Sequence, residues 1–540
     1  MADHARQDRH LDPDAAASPV RLLPGLLADP GHVTVLIGDQ DAATPRGQLL
    51  TWATVNLLLR CYGVLVTVTV HCPDVPLAAP LPRVPADSAP LSLHQALAVL
   101  ATATADPDGR GPRLVLQPGG PARPGAVGTV TLVLGTQYAS MVAGSPPGDA
   151  TWLVTAGAWK LSIATPAALT RADLTRLPRL DEDGPVSVAV WLASALGCAE
   201  AFKNIGRLKA GRGRAIEAFS VNLWTLTGSD GFAELATADG PAEPPQLPAH
   251  YVVGAGAVAE AYLAVLATSD VSTSLALLDD DVLGDTNLNR HILAAWADLG
   301  EPKATLAQDR LSGYRMRIFP VNARWQDYLA TPPAERPARP EALTITEASG
   351  TYDLVISAVD RNRSRVAIAG SRPQVILGGS TNGLEAEVGR YQAGSSWQCL
   401  ACASPPEPDP SIEQAASQLA AKTPAELAAL AQQQGLDLAA ITEYLNHPEC
   451  GTLGEREVQR FAALDRPDWS VSFVSVAAGA LLAARALTHI AGDDAERTAA
   501  EGDTLRLWLA NATMTRTAHR RNPGCPVCGM ATAALTSHRL

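Results

Sequence analysis

The sequence predicts an α/β fold in which two similar halves follow one another along the chain. Three observations indicate it: short apolar runs alternate with helical stretches, a proline-rich linker lies near the middle, and both halves end in the same order of elements. Alternating strands and helices are typical of a mostly parallel sheet that is covered on both faces. We therefore expect two such sheets, packed together as an internal pseudo-dimer.

The first half is predicted to extend over residues 19–239, after a flexible tail over 1–18. Its strand candidates are short, apolar and rich in β-branched residues. The predicted strands are 33–37, 64–70, 113–116, 130–134 and 152–155, and the predicted helix is 47–62.

The second half, over residues 249–540, follows the linker 240–248 and repeats the pattern. Both halves end in a helix of small residues followed by a strand that finishes near a tryptophan, Trp224 or Trp508. This shared order predicts a tandem duplication, although two generic alanine-rich helices would look similar. The predicted strands are 251–253, 274–278, 353–357 and 374–377, and the predicted helix is 257–266.

The composition indicates a globular protein, because 47% of the 540 residues are hydrophobic and 18% are charged. The net charge of −13 argues against a nucleic-acid partner, whose binding surface would be basic. The polar start of the chain predicts no signal peptide, and the apolar run 471–487 is interrupted by Ser and Gly and predicts a buried helix. We therefore expect a cytoplasmic protein with no membrane partner.

A glycine-rich turn stands at the start of the second half. Gly254 and Gly256 follow a predicted strand and open a helix, where backbone N–H groups favour phosphate. Asp279 follows the next strand, at the position of an acid that bonds a ribose hydroxyl. The pattern fits a dinucleotide or ATP, and a plain glycine turn with no ligand is the alternative.

The residues that come next favour ATP over a dinucleotide. Two carboxylates, a carboxamide and two cations are predicted just beyond the carboxyl edge of the sheet: Asp279, Asp281, Asn287, Arg290 and Lys303. Hydride transfer does not need this set. A triphosphate needs cations to neutralise its charge, and its Mg²⁺ needs oxygen ligands.

Two cysteine doublets lie more than a hundred residues apart in the second half. Cys399 and Cys402 form the first doublet, and Cys525 and Cys528 form the second. Four thiolates in two such doublets are typical of a closed, tetrahedral zinc site. We expect this zinc to be structural, because it has no open position for chemistry.

Taken together, these motifs resemble the signature of the ThiF-type adenylyltransferases, which include the ubiquitin-activating enzymes. The resemblance covers residues 248–540 and rests on the series from Asp279 to Lys303, on the later motif that ends in Asp360, and on the cysteine doublets. The first half is similar to the degenerate, inactive adenylation half of the ubiquitin-activating type. It carries Gly38-Asp-Gln-Asp41 where the phosphate turn is expected.

The resemblance implies two Rossmann-like adenylation domains, one inactive and one active, and a role for each site residue. Gly254 and Gly256 would line the phosphates, and Asp279 would bond the ribose. Asp281 would belong to the same ATP site. The residues that would contact the triphosphate and the substrate carboxylate are Asn287, Arg290 and Lys303. Asp360 would hold Mg²⁺, and the catalytic set would comprise Arg290, Lys303, Asp360 and Cys450. An arginine of the first half also reaches the ATP site in this family, and the candidates left open are Arg6, Arg9 and Arg21.

Cys450 is the predicted thioester-forming nucleophile. It lies in an insertion at about 405–455, between the doublets, in the context Pro448-Glu-Cys450 that resembles the ubiquitin-activating type. An exposed thiol can attack an acyl-adenylate, and His447 would favour the thiolate. A loop cysteine with no task, or a further metal ligand, is the alternative. The remaining cysteines, Cys61, Cys72 and Cys198, stand in apolar contexts that predict a core position.

The function that the resemblance implies is activation of a ubiquitin-like protein. The chain would use ATP to adenylate the partner's C-terminal carboxylate, hold it as a thioester and pass it to a conjugating enzyme, with bacterial antiphage defence as one context. A sulfur-carrier adenylyltransferase of the molybdopterin or thiamine type is the alternative, and a peptide-modifying member is a third. Because both adenylation halves lie in one chain, we expect a monomer or a homodimer.

Overall fold

The computed structural model describes most of the chain between residues 31 and 529. The segments outside the described part are 1–30, 63, 86–88, 108, 110, 119–128, 144–149, 206–214, 393–394, 405–418, 420–421, 435–437, 440–441, 443–470, 493–502 and 530–540. The predicted tail over 1–18 and the predicted nucleophile Cys450 therefore both lie outside the described residues.

The first half forms an eight-stranded mixed sheet in the order β3-β2-β1-β4-β5-β6-β7-β8. The first five strands in that order are parallel, and the last three are antiparallel. The strands are β1 (Gly31–Ile37), β2 (Leu65–His71), β3 (Arg113–Gln117), β4 (Thr129–Leu134), β5 (Thr151–Ala156), β6 (Lys160–Ala164), β7 (Ala218–Asn222) and β8 (Thr227–Asp230).

Two helices of the first half, α2 and α3, begin after N-cap residues that the sequence displays. Thr44 caps α2 by accepting a hydrogen bond from the N–H of Gly47, and Ser92 caps α3 by accepting one from Gln95. Proline occupies the first position of α2, where a missing N–H costs nothing. These helices are α1 (Asp39–Ala42), α2 (Pro45–Leu59), α3 (Leu93–Thr104), α4 (Ala139–Val142), α5 (Arg171–Leu174) and α6 (Val188–Ile205).

The second half forms another eight-stranded sheet with the same strand order, β11-β10-β9-β12-β13-β14-β15-β16. Its first five strands in that order are again parallel. The strands are β9 (His250–Val253), β10 (Thr273–Leu278), β11 (Met316–Val321), β12 (Leu354–Ser357), β13 (Val375–Asn382), β14 (Glu385–Gln392), β15 (Asp503–Trp508) and β16 (Thr513–Ala518). The helices are α7 (Ala257–Thr268), α8 (Lys303–Arg310), α9 (Trp325–Ala330), α10 (Glu341–Ala348), α11 (Asn362–Gly370), α12 (Leu400–Ala403), α13 (Pro424–Gln434) and α14 (Ser472–Ala491).

The identical strand order agrees with the duplication that the sequence predicts, and the predicted strands are found within a few residues of their expected ends. The sequence pattern missed β6, β11 and β14, and it also missed β8 and β16, the strands at the antiparallel edges of the two sheets. Both edge strands contain few apolar residues, so alternation of hydrophobicity does not mark them. They form because each pairs with an adjacent strand that the pattern does mark, β7 or β15.

The two halves share one hydrophobic core, built where α2 and α6 of the first half meet α7 and α14 of the second. The rings of Phe202 and Phe473 lie 5.3 Å apart across this boundary. The indole N–H of Trp191 also donates to the hydroxyl of Thr268 at 2.9 Å. The halves therefore pack as an internal pseudo-dimer.

Two helices, α6 and α14, are long and apolar enough to cross a membrane by length and composition. Within the part of the chain that the structure describes, 89% of the α6 window and 83% of the α14 window are buried inside the protein. Helices that form a core between two sheets meet the same length and composition test, and both helices occupy that position here.

The closest approach between α7 and α14 predicts a stability effect at Gly479. A Cβ on Gly479 would lie 2.5 Å from the Cβ of Ala261 and 2.7 Å from the backbone N of Tyr262. We expect Gly479→Ala to lower the free energy of unfolding by about 1–3 kcal/mol, because backbone cannot move aside cheaply. Differential scanning calorimetry measures this as a lower Tm.

Gly370 provides the matched control for that substitution. It ends α11, and a Cβ there would meet no atom within 4 Å. Gly370→Ala should leave stability unchanged or raise it by up to about 1 kcal/mol, since alanine loses less conformational entropy in a helix. Equal melting temperatures for the two variants would contradict the packing argument.

Candidate nucleotide-binding site and cysteine cluster

The predicted site residues lie around the topological switch point of the second sheet, where the chain connections run to opposite sides of β9. β9 lies between β10 and β12, so the loops that follow β9 and β12 leave the sheet side by side. The N–H of Gly254 donates to the carbonyl of Leu278, and that of Ala358 donates to Val253, which continues the sheet into these loops. In open α/β sheets, the crevice at such a switch point is where ligands bind.

The glycine turn after β9 leaves room for an anion. Gly254 adopts a φ of +91°, and a Cβ there would lie 2.8 Å from the carbonyl oxygen of Ala358, so glycine is required. At Gly256 the nearest atom to a Cβ would be 3.9 Å away. Gly256 is the N-cap of α7, and no side chain caps the first N–H groups of this helix among the described residues. This is the geometry that binds phosphate.

Asp279 braces this turn from the end of β10. One carboxylate oxygen accepts the N–H of Ala255 at 2.5 Å, and the other accepts the N–H of Asp281 at 2.8 Å. Burial raises the pKa of Asp279, and the charge of Lys303 and the two backbone N–H groups oppose that shift. Both carboxylate oxygens of Asp279 already accept backbone N–H groups. A contact between Asp279 and a ribose therefore stays a prediction.

Two of the cations near the carboxyl edge of the second sheet, Lys303 and Arg324, are each paired with an acid of the Asp279–Asp281 run. Lys303 Nζ lies 2.8 Å from Asp281, and its side chain is 11% exposed against 66% for Asp281. Arg324, which the sequence analysis did not single out, pairs with Asp280 at 2.7 Å. Lys303 and Arg324 therefore each pair with an exposed carboxylate of the run.

Asn287 and Arg290 lie on one irregular segment that follows β10. Asn287 accepts the N–H of Gly284 through its side-chain oxygen at 3.0 Å, closing a short 3₁₀ turn. Arg290 donates to the carbonyl of Thr286 at 2.6 Å and is half-buried. Asn287 and Arg290 therefore lie between β10 and the start of α8 at Lys303, and the contact of all three residues with a triphosphate stays a prediction.

Glu260, a buried acid that the sequence did not single out, binds the residues that follow Arg290. Glu260, in the first turn of α7, accepts the N–H of Leu293 and lies 2.6 Å from Nδ1 of His291. Burial lowers the pKa of His291 despite the nearby Glu260, so the neutral ring donates its Nδ1–H to the carboxylate. The signal in the sequence was an isolated Glu in an otherwise apolar helix.

Asp360 is exposed in the loop after β12, on the other side of the switch point from Asp279. Among the described residues, oxygens of Asp279, Asp280 and Asp281 approach one another closely enough to share a cation, with ligand atoms within 4.8 Å. Carboxylates of this kind suit Mg²⁺. The assignment of Mg²⁺ to Asp360 stays a prediction.

The equivalent turn of the first half is closed by its own side chains. A Cβ on Gly38 would lie 2.1 Å from the amide oxygen of Gln137, which comes from the loop after β4. That oxygen also accepts the N–H of Gln40, and Asp41 accepts the N–H of Gln137 at 2.8 Å. The sequence predicts an inactive first half, with Gly38-Asp-Gln-Asp41 at this turn. The structure shows that Gln137 fills it, held there by Asp41.

The four predicted zinc ligands form one cluster. The Sγ atoms of Cys399 and Cys402, and those of Cys399 and Cys525, lie 3.7 Å apart, and Cys402 and Cys528 lie 3.3 Å apart. Four thiolates at about 2.3 Å from one zinc ion would be separated by roughly 3.8 Å. The cluster therefore fits Zn²⁺ in size and donor type.

The surroundings of Cys399 and Cys525 shift the pKa values of these two thiols in opposite directions. Burial raises the pKa of Cys399 to about 11. Burial acts in the same direction on Cys525, but hydrogen bonds from the N–H groups of Cys528 and Val527 and from neighbouring thiols outweigh it and lower the pKa to about 7.

Some predicted residues cannot be placed. Cys450 and the arginine candidates Arg6, Arg9 and Arg21 lie outside the described residues. Cys61, Cys72 and Cys198 are buried, as the sequence predicts. Burial raises the pKa of Cys61 and of Cys72 to about 12, and that of Cys198 well above its ordinary value.

A Rossmann-like sheet with an open glycine turn at its switch point places this chain in the broad class of α/β nucleotide-binding proteins. The sequence profile of the ThiF family matches residues 249–527, just over half of the chain. The chain therefore belongs to the ThiF family, as the motifs of its second half predict.

Individual relatives are more distant. The uncharacterized protein y4jF of Sinorhizobium fredii (strain NBRC 101917 / NGR234) is 24% identical over 375 residues, which cover 68% of this chain and 60% of that protein. The chain thus spans less than two thirds of this relative's length. Among solved structures, E. coli MccB with ATP and with MccA-N7isoASN each show 15% identity and a TM-score of 0.34, over 52% of this chain and 67% of theirs.

The cysteine cluster predicts about one zinc ion per chain, bound by four thiolates. We expect Cys402→Ser to remove that zinc and to lower the melting temperature, because the remaining ligands cannot close a tetrahedral site. Elemental analysis of the purified protein measures the metal content. Cys72→Ala, which alters a buried thiol outside the cluster, should keep its zinc. Zinc retained in Cys402→Ser would contradict the assignment.

Proposed function

We propose that the chain is an ATP-dependent activating enzyme that adenylates the C-terminal carboxylate of a ubiquitin-like protein. The observation that carries the proposal is the open glycine turn of the second half, which Asp279 links to the pair of Asp281 and Lys303. The equivalent turn of the first half is filled by Gln137. One half therefore offers a nucleotide site and the other does not, as in the ubiquitin-activating type.

In the first step, a carboxylate oxygen of the partner protein attacks the α-phosphorus of ATP. The bond between that phosphorus and the bridging oxygen breaks, and pyrophosphate leaves with the electron pair. Lys303 and Arg290 would offset the charge that develops on the phosphate oxygens, and Asn287 would orient the reacting groups. The N–H groups at the start of α7 would hold the phosphates.

Mg²⁺, when bound, would neutralise phosphate charge and act as a Lewis acid. The residues available to hold it are Asp360 and the run from Asp279 to Asp281. Asp281 is already exposed beside Lys303, so it can exchange one cation for another at little cost. Asp279 accepts the N–H of Ala255 and so would hold the backbone of the turn in place when phosphate and Mg²⁺ bind.

In the second step, the thiolate of Cys450 would attack the acyl carbon of the adenylate. A carbon–sulfur bond forms, the carbon–oxygen bond to AMP breaks, and AMP leaves with the electron pair. The buried thiols Cys61, Cys72 and Cys198 are unsuited to this step, since burial keeps them protonated. Transfer of the thioester to a conjugating enzyme would follow, with antiphage defence as the biological context.

Removal of the predicted magnesium ligand tests the adenylation step. Asp360→Ala should lower ATP–pyrophosphate exchange by about 100-fold or more, because a metal contributes several kcal/mol to charge stabilisation. The assay uses the intact chain and a ubiquitin-like protein with a free C-terminal carboxylate. Asp353→Ala is the control, because Asp353 stands at the opposite end of β12 and pairs with Gln374. Unchanged exchange in Asp360→Ala would sink the magnesium assignment.

The thioester step has a separate test. Wild-type chain should form a covalent adduct with the ubiquitin-like protein that reductant removes, because a thioester yields to added thiol. Cys450→Ala should lose the adduct and keep ATP–pyrophosphate exchange, and Cys72→Ala should keep both. An adduct that survives Cys450→Ala would refute the nucleophile assignment. Exchange without any adduct in the wild type would favour a sulfur-carrier activator.

A further inference from the structure

One arginine of the first half reaches into the second half beside the candidate nucleotide site. Arg60 follows the last residue of α2 and is 1% exposed. Its Nη1 donates to the carbonyl of Leu288 at 2.7 Å, and its Nη2 donates to that of Ala294 at 2.7 Å and to that of Ile292 at 3.1 Å. A single guanidinium thus binds three carbonyls of the segment 287–294.

Asn56, one turn earlier on α2, completes this contact. Its side-chain oxygen accepts the Nε–H of Arg60 at 2.8 Å, which fixes the plane of the guanidinium. Its amide nitrogen donates to the carbonyl of Ile292 at 2.8 Å. Tyr62 of the first half also packs in the small core beneath the segment, with Leu288 and Ala294.

The second half holds the same segment from its own side. Glu260 accepts the N–H of Leu293 and pairs with His291, and the Nε of Arg310 donates to the carbonyl of Leu293 at 3.1 Å. Asn287 and Arg290 stand on this segment, which forms turns and not a regular helix. Its shape therefore depends on the buried side chains around it.

The chemistry of this contact requires arginine. The planar guanidinium carries five donors in fixed directions and so reaches several carbonyls at once, whereas a lysine ammonium is a compact point charge. If the donors are removed, the carbonyls of Leu288 and Ala294 lose the guanidinium and that of Ile292 keeps only the amide of Asn56, so the segment has to rearrange to find other donors. Any such rearrangement would move Asn287 and Arg290.

We infer that Arg60 is a positioning residue, through which the first half sets the geometry of the nucleotide site in the second half. This inference rests on the proposed function in one respect, that Asn287 and Arg290 contact the triphosphate. In the first half, Gln137 fills the nucleotide turn. The inference gives this first half a role in the nucleotide site of the second half. The first half acts as a template for the segment 287–294.

Substitution of Arg60 in the intact chain tests this inference by calorimetric titration with MgATP. Arg60→Met should raise the Kd by about tenfold or more, with Arg60→Lys in between, because misplaced Asn287 and Arg290 bind phosphate less well. A purely structural role would instead lower the fraction of protein that binds and leave the Kd unchanged. A wild-type Kd in both variants would overturn the inference.

Arg46 provides a matched control on the same helix. It is 4% exposed, and its guanidinium donates to the carbonyls of Val186, Glu182 and Gly184 at 2.7, 2.5 and 2.7 Å within the first half. Arg46→Met removes an equally buried arginine from a carbonyl cluster away from the site. It should leave the Kd for MgATP within about twofold of the wild-type value.

Hydrogen–deuterium exchange keeps the test independent of nucleotide binding. In Arg60→Met, amides of 287–294 should exchange faster than in the wild type, while amides of 182–187 should not change. In Arg46→Met the two segments should respond in the opposite way. Equal exchange of 287–294 in both variants would overturn the role of Arg60, whereas a wild-type chain that does not bind MgATP would count against the proposed function alone.

Discussion

The structure depends on the close packing of small-residue helices between the two sheets. α7 and α14 approach so closely at Gly479 that a methyl group would meet the backbone of α7. α7 begins at the glycine turn of the candidate site, so this packing also fixes where the turn lies. The apolar surface buried between the halves is the dominant favourable contribution to such a fold. The site is therefore built on the core that joins the two halves.

Buried charges at this boundary are the second constraint. Arg60, Glu260 and Arg310 are all buried, and each is paired with backbone groups of one irregular segment. A buried charge is costly unless hydrogen bonds satisfy it, and a buried carbonyl is costly without a donor. The hydrogen bonds between these charged side chains and the backbone therefore satisfy both groups, and they hold the segment in one conformation. That conformation presents Asn287 and Arg290 at the edge of the sheet.

The two halves show how one topology yields an open site and a closed one. Both sheets have the same strand order, and both place a glycine after the strand at the switch point. In the second half the space beyond Gly256 is open. In the first half, Gln137 fills the space at Gly38, and Asp41 holds the backbone of Gln137. A few side chains at the loop ends therefore separate two halves of the same architecture.

The sequence by itself determined the α/β class, the duplication, the glycine turn and the cysteine cluster. These features follow from local patterns: periodicity of apolar residues, glycines at a strand end, and paired cysteines at metal-binding spacing. Only the tertiary structure decided that Gln137 closes the first turn and that Arg60 and Glu260 brace the segment of Asn287 and Arg290. Those contacts join residues far apart in the chain. Every residue has a backbone carbonyl, so the sequence does not show which residue accepts such a hydrogen bond. The edge strands β8 and β16 escaped detection for a related reason, because pairing with a neighbour, and not their own hydrophobicity, forms them.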